Sequence, residues 1–183
     1  GDKTGIQWCD ATWNPLVGCS RVSEGCRNCY AERTAIRLSG PRQKYEGTIR
    51  STKDGPRWTG VVELVDKDLD LPLRWRSPRR IFVNSMSDLF HEKVPDEWID
   101  QIFAVMAMAR EHTFQILTKR PERMLTYLSR CGGNEPDVGR WARWWHLLGD
   151  LRRVRRHSTL PTTDGYSRTV RRYRRRPARI FMV

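Results

Sequence analysis

Between Arg79 and Arg130 the apolar positions change period from segment to segment. Arg80-Ile81-Phe82-Val83-Asn84-Ser85-Met86 is an apolar, β-branched and aromatic run that follows Pro78 and ends in small polar residues, the pattern of a buried parallel strand. After a loop over 86–94, Pro95-Asp96-Glu97 supplies the proline and acidic first turn of a helix start. Trp98, Ile99, Ile102, Phe103, Val105, Met106 and Met108 continue at helical spacing, which predicts a helix of roughly 14 residues. Thr113-Phe114-Gln115-Ile116-Leu117-Thr118 reads as the next strand, and Pro121 opens another helix with Met124, Leu125 and Leu128 on one face. Strand, helix, strand and helix joined by short connections predict right-handed crossovers and a parallel sheet.

The first eighty residues are less regular. Thr12 to Gly18 reads as a strand and its following loop, and Cys29 to Leu38 holds helix formers, which makes another strand–loop–helix unit. Residues 39–60, rich in Gly, Pro, Arg and Lys, read as an excursion, and Val61 to Val65 as a short strand.

Composition divides the 183 residues in two. Residues 1–131 hold 21 Lys+Arg and 17 acids, an ordinary balance, whereas residues 132–183 hold 13 Arg, no Lys and 4 acids. The net charge of +13 therefore resides mostly in an Arg-rich tail. No stretch nears 18 consecutive apolar residues and no basic-then-apolar leader opens the chain, so a membrane span and a secretory signal are disfavoured and a cytoplasmic setting is expected.

Of five cysteines, Cys19, Cys26 and Cys29 fall within eleven residues, in Gly18-Cys19-Ser20-Arg21-Val22-Ser23-Glu24-Gly25-Cys26-Arg27-Asn28-Cys29-Tyr30. In a reducing compartment such a group points to ligands or nucleophiles rather than disulfides. A glycine-bearing loop can wrap a metal, and C-x2-C places two sulfurs on one turn. Three thiolates leave one iron of a [4Fe–4S] cluster open, a position that S-adenosylmethionine exploits in radical chemistry. Zinc, with Cys9 as a fourth thiolate, is the alternative, and small buried cysteines without a metal are a third reading.

Trp13-Asn14-Pro15, Gly18 to Glu32, Pro72-Leu73-Arg74-Trp75, Arg80 to Glu92 and Thr113 to Arg123 together resemble the phage three-Cys-motif proteins, a family of unknown function named after phage gene products thirty-seven and sixty-eight. The resemblance covers most of residues 6–130, and Asn84-Ser85-Met86-Ser87-Asp88-Leu89-Phe90-His91 is its most specific run. It implies a partial TIM-like (β/α) barrel of radical-S-adenosylmethionine type, with the three cysteines as cluster ligands, and names no reaction or substrate. Cys9 stands where the family usually has Thr, which weakens the zinc alternative. The phage context adds nucleic acid or a phage-encoded protein as expected partners.

In α/β folds ligands sit at the carboxyl ends of the strands, which brings forward Asn84, Ser85, Ser87 and Asp88 after one strand and Thr118, Lys119 and Arg120 after the next, with Tyr30 beside the cysteines. Asp88 suits an amino or ribose hydroxyl group, and Lys119 or Arg120 a carboxylate or phosphate. The plainer roles are turns for Ser85 and Ser87, an Asx-turn for Asp88, and a solvated helix entry for Lys119 and Arg120. His91-Glu92 lacks the second histidine of a zincin motif, so a surface or capping role is expected. Trp13, Trp58, Trp75 and Trp98 fall in unrelated elements and are expected to pack rather than to stack bases.

Residues 1–131 thus read as the N-terminal part of a barrel and 132–183 as an irregular tail. The missing apolar strands, the paired arginines and the absence of Lys fit a reading-frame shift in a longer parent. A genuine nucleic-acid-binding tail is the competing reading.

Overall fold

The computed structural model describes residues 4–130 and 179–182. Its centre is a four-stranded sheet in the order β1 (Ala11–Trp13), β6 (Arg80–Val83), β7 (Thr113–Ile116), β8 (Arg179–Met182), with every neighbouring pair parallel. The register sets Trp13 beside Val83 and Val83 beside Ile116, so three strands end at one level. Parallel pairing requires crossovers, and the helix α3 (Asp96–Met108) supplies the one between β6 and β7.

α3 forms because Pro95 starts it, Asp96 and Glu97 fill its first turn, and apolar residues recur at helical spacing. It buries Ile99, Ile102, Phe103, Val105 and Met106 against Ile81, Val83, Phe114 and Ile116 of the sheet, at about 1.5–3 kcal/mol for each large side chain removed from water. α4 (Pro121–Arg130) is amphipathic and anchors through Tyr127, whose hydroxyl donates to Asp100 Oδ1 at 2.6 Å. Trp13 lies in this core with its indole N–H on the Asp68 carbonyl at 2.8 Å, and Trp75 stacks under Arg79. The tryptophans pack, as their scattered positions predict.

A smaller cluster covers the cysteine side. There the helix α1 (Tyr30–Ala35), continued by a 3-10 turn to Leu38, packs Ala31 and Ala35 against Tyr45, Ile49 and Trp58.

The described residues form an open parallel sheet with β1 and β8 at its edges, the mixed α/β arrangement that the alternating strands and helices predict, without a closed barrel among them. Three expectations need correction. Residues 39–60 contain an antiparallel hairpin, β3 (Ile49–Thr52) and β4 (Gly55–Trp58), whose turn relies on Gly55 at φ 99°. The strand expected over 61–65 shrinks to β5 (Glu63–Leu64), antiparallel to β2 (Leu16–Val17), with Val65 N donating to Pro15 O at 2.7 Å. Arg179–Met182, within the segment read as an irregular tail, completes the sheet instead. Residues 131–178, with Cys131 and nearly all of the Arg-rich segment, lie outside the described residues, as does the frame-shift reading. Between β5 and β6 the chain forms α2 (Asp66–Leu69) and a 3-10 turn over Leu71–Arg74. No helix among the described residues is long and apolar enough to cross a membrane.

Candidate functional site

The cysteine loop leaves β2 at Gly18, whose φ is 84° and whose position admits no side chain, since a Cβ there would stand 1.9 Å from the Val61 carbonyl oxygen. From Gly18 the loop runs through a 3-10 turn at Glu24–Cys26 into α1, which starts directly after Cys29. Arg21 ties the loop to α1: its guanidinium donates to both oxygens of the buried Glu32, at 3.1 and 2.5 Å, and Glu32 also accepts from Trp58 N at 3.1 Å. One acidic side chain thereby fixes the loop, α1 and the β3–β4 hairpin together.

Cys19, Cys26 and Cys29 all line one cavity of about 370 Å³, and so do Tyr30, Asn84, Ser85, Ser87, Asp88, Thr118 and Lys119. Its apolar walls are Trp58, Phe82 and Leu117. The cavity lies where β6 and β7 end, the place the parallel topology predicts for a ligand. Cys9 is buried but does not line it, so a zinc site completed by Cys9 finds no support in this arrangement.

The polar residues divide by what already occupies them. Asp88 is saturated: Oδ1 accepts from Phe90 N at 3.0 Å, which closes an Asx-turn, and from Thr118 Oγ1 at 2.8 Å, while Oδ2 accepts from Lys119 N at 3.2 Å and Arg120 Nη1 at 3.0 Å. Arg120, read as a solvated or anion-binding residue, is instead buried. Its Nε donates to Glu92 at 2.9 Å, Nη1 to Asp88, and Nη2 to the Ser20 carbonyl and hydroxyl at 3.2 and 2.9 Å. It joins the cysteine loop to both strand-end loops and keeps no donor for a ligand.

His91 is buried rather than superficial. Its Nδ1 accepts from Lys93 N at 3.1 Å, so the proton sits on Nε2, which donates to Ser20 Oγ at 2.9 Å. Ser20 Oγ in turn donates to Glu92 Oε1 at 3.1 Å. Burial and the Arg120 charge lower the His91 pKa, which keeps the ring neutral. Partial burial would raise the Glu92 carboxyl, but backbone hydrogen bonding, Arg120 and His91 outweigh it and hold it at about 2. Ser20 is the member of this network that sequence reasoning missed. Its partners lie 71 to 100 positions away, beyond any spacing rule.

Ser85 Oγ donates to Asn14 Oδ1 at 3.1 Å, Ser87 Oγ to the Leu16 carbonyl at 3.1 Å, and Tyr30 Oη to the Ser85 carbonyl at 2.6 Å, so these hydroxyls mainly shape the cavity wall. Two groups differ. Asn84, at φ 56° and buried, uses Oδ1 to accept from Leu16 N, while its Nδ2 is a buried donor without a partner. Lys119 is exposed at the cavity and its stem lies over Gly25, where a Cβ would meet Cε at 3.1 Å. Its ammonium forms no ion pair among the described residues.

The thiols are electrostatically unlike. Burial pushes Cys19 up to about 11 even with Arg120 Nη1 3.9 Å from its sulfur. Cys26 also feels burial, but hydrogen bonds from the Val22 and Ser23 backbone and the Ser23 hydroxyl, with the charge of Lys119, leave its pKa lowered. Among the described residues no three His, Cys, Asp or Glu side chains converge at metal-ligating spacing. The thiols share a cavity but do not form a preassembled metal site.

No curated protein and no solved structure matches the chain significantly. The family described as "Protein of unknown function (DUF5131)" matches residues 3–159, which span the strands β1 to β7, the cysteine loop and every residue of the cavity; the chain belongs to that family.

Proposed function

We propose that this chain is an enzyme of phage or prophage type that binds a [4Fe–4S] cluster through Cys19, Cys26 and Cys29 and S-adenosylmethionine beside it, on the part of a radical-type (β/α) fold that its three-Cys resemblance implies. The observation that carries the reading is the shared cavity: three thiols and the residues after β6 and β7 face one space. The donor set fits such a cluster, since three sulfurs leave one iron for an exogenous ligand. When bound, that group supplies the one-electron reductive cleavage of a sulfonium.

The chain's own residues have separable tasks. Cys26, with its lowered pKa, is readier to ligate than Cys19, whose proton, held up to about 11, would pass to a base only as a metal ion binds the sulfur. Lys119 brings an uncommitted ammonium for a carboxylate, and Asn84 Nδ2 an uncommitted donor for an oxygen or nitrogen acceptor. Trp58, Phe82 and Leu117 give the cavity an apolar wall beside the thiols. Arg120, Asp88, Ser20 and His91 hold the cysteine loop against the strand ends.

The test is anaerobic reconstitution with iron and sulfide, followed by calorimetry with S-adenosylmethionine. A brown protein that binds the cofactor is expected, with Lys119→Ala and Asn84→Ala each weakening binding by about 1–3 kcal/mol at unchanged iron content. A colourless protein carrying one zinc would replace this reading with a non-enzymatic metal module that binds nucleic acid or a partner protein.

A further inference from the structure

A second cavity of about 370 Å³ lies on the outer side of the cysteine loop, between α1 and the β3–β4 hairpin. It shares Arg21 and Cys29 with the first cavity. Four of its lining residues are arginines, Arg21, Arg27, Arg33 and Arg57, against two acids, Glu32 and Asp54. Their charges do not cancel locally. Glu32 is taken by Arg21 at 2.5 Å, and Arg57 reaches it only at 4.0 Å. Arg27 has a 3.7 Å contact with the exposed Glu24, and Arg33 is exposed with no ion pair among the described residues.

The hairpin adds an independent observation. The register of β3 and β4 places Arg50 directly opposite Arg57. Like charges in cross-strand positions repel and destabilise a hairpin. Of that pair only Arg57 lines the groove, and the groove's excess of guanidinium groups over carboxylates is matched to a ligand that carries negative charge on oxygens able to accept a guanidinium fork.

We propose that this groove binds phosphate groups, those of a nucleotide or of a nucleic-acid strand, through Arg27, Arg33 and Arg57. Arg21 is spent on Glu32 and serves as the groove's structural wall. Because the groove meets the first cavity at Cys29, a phosphate held here would extend the rest of its molecule toward the cysteine loop. The site does not depend on the cluster proposed above, and metal-free protein tests it alone.

The experiment is fluorescence anisotropy of a short fluorescein-labelled single-stranded oligonucleotide on the full chain as purified, with adenosine monophosphate as competitor. Arg33→Gln and Arg27→Gln, both on exposed side chains, are expected to weaken binding by roughly fivefold each, as for one charge contact in a water-like medium. Asp54→Asn removes the acid at the groove that has no ion pair among the described residues, and is expected to tighten binding, a gain that misfolding cannot imitate. Arg171→Gln with Arg172→Gln, in the Arg-rich segment, is the control and is expected to change affinity less than Arg33→Gln does. Full competition by the mononucleotide would identify a nucleotide site. Weak competition with a steep salt dependence would identify a strand. Unchanged affinity in Asp54→Asn together with Arg33→Gln, or a loss in the control equal to that of Arg33→Gln, would overturn the proposal.

Discussion

Replacing Arg120 by methionine keeps an unbranched apolar stem and removes the guanidinium's five N–H donors from the junction between the cysteine loop and the strand ends. Arg120 and Asp88 have side chains only 8% and 7% exposed, so the substitution strands a buried carboxylate. Removing one partner of a buried pair costs about 3–5 kcal/mol. The second bridge, to Glu92, is with a carboxylate that is 57% exposed and adds at most about 1 kcal/mol. Asp88 keeps three other donors, which places the expected loss near the lower half of the range, about 3–4 kcal/mol. For a chain of this size that is a fall in Tm of about 6–16 °C. Urea denaturation followed by circular dichroism at neutral pH measures it, and Asp88→Asn in the Arg120→Met background supplies the cycle. Since the asparagine removes the stranded charge, the double variant is expected to be more stable than the sum of the single losses predicts, by about 1 kcal/mol or more. A loss below about 1 kcal/mol in Arg120→Met, or strictly additive losses, would refute the assignment of Arg120 as the buried tie between these loops.

Gly18→Ala meets the Val61 carbonyl and forces an unfavourable φ, so it is expected to cost at least about 1–3 kcal/mol in the same denaturation assay; a neutral result would show that the loop does not leave β2 by this path. Alkylation followed by peptide mass spectrometry across pH 7 to 11 separates the thiols. The lowered pKa of Cys26 makes its thiolate abundant at lower pH, whereas Cys19 ionises only near pH 11, so Cys26 should be modified first as pH rises and the reverse order would contradict the described electrostatics.

How much of this was legible in the sequence follows from the range of the forces involved. β6, α3, β7 and α4 were readable because their apolar residues repeat at strand or helix periods and Pro95 and Pro121 mark the helix starts. The hairpin β3–β4 was not, because Ile49-Arg50-Ser51-Thr52 and Gly55-Pro56-Arg57-Trp58 carry few apolar residues and gain their stability from α1 and Glu32. β8 was hidden because its four residues follow a run of arginines, and only pairing with β7 reveals them as a strand. The cysteine spacing and the strand-end rule were enough to gather the residues of the cavity. They could not tell which of those residues were already committed. Asp88 and Arg120 look equally available in sequence, and their saturation depends on contacts between positions as far apart as Ser20 and Arg120.

Iron content per chain after anaerobic reconstitution, measured for the parent chain and for Cys19→Ala, Cys26→Ala, Cys29→Ala and Cys9→Ala, tests the central claim most directly. Iron and sulfide are expected in the parent and in Cys9→Ala, with loss of the cluster in each of the three loop variants. Full iron retention in Cys26→Ala, or a loss in Cys9→Ala equal to that in the loop variants, would contradict it.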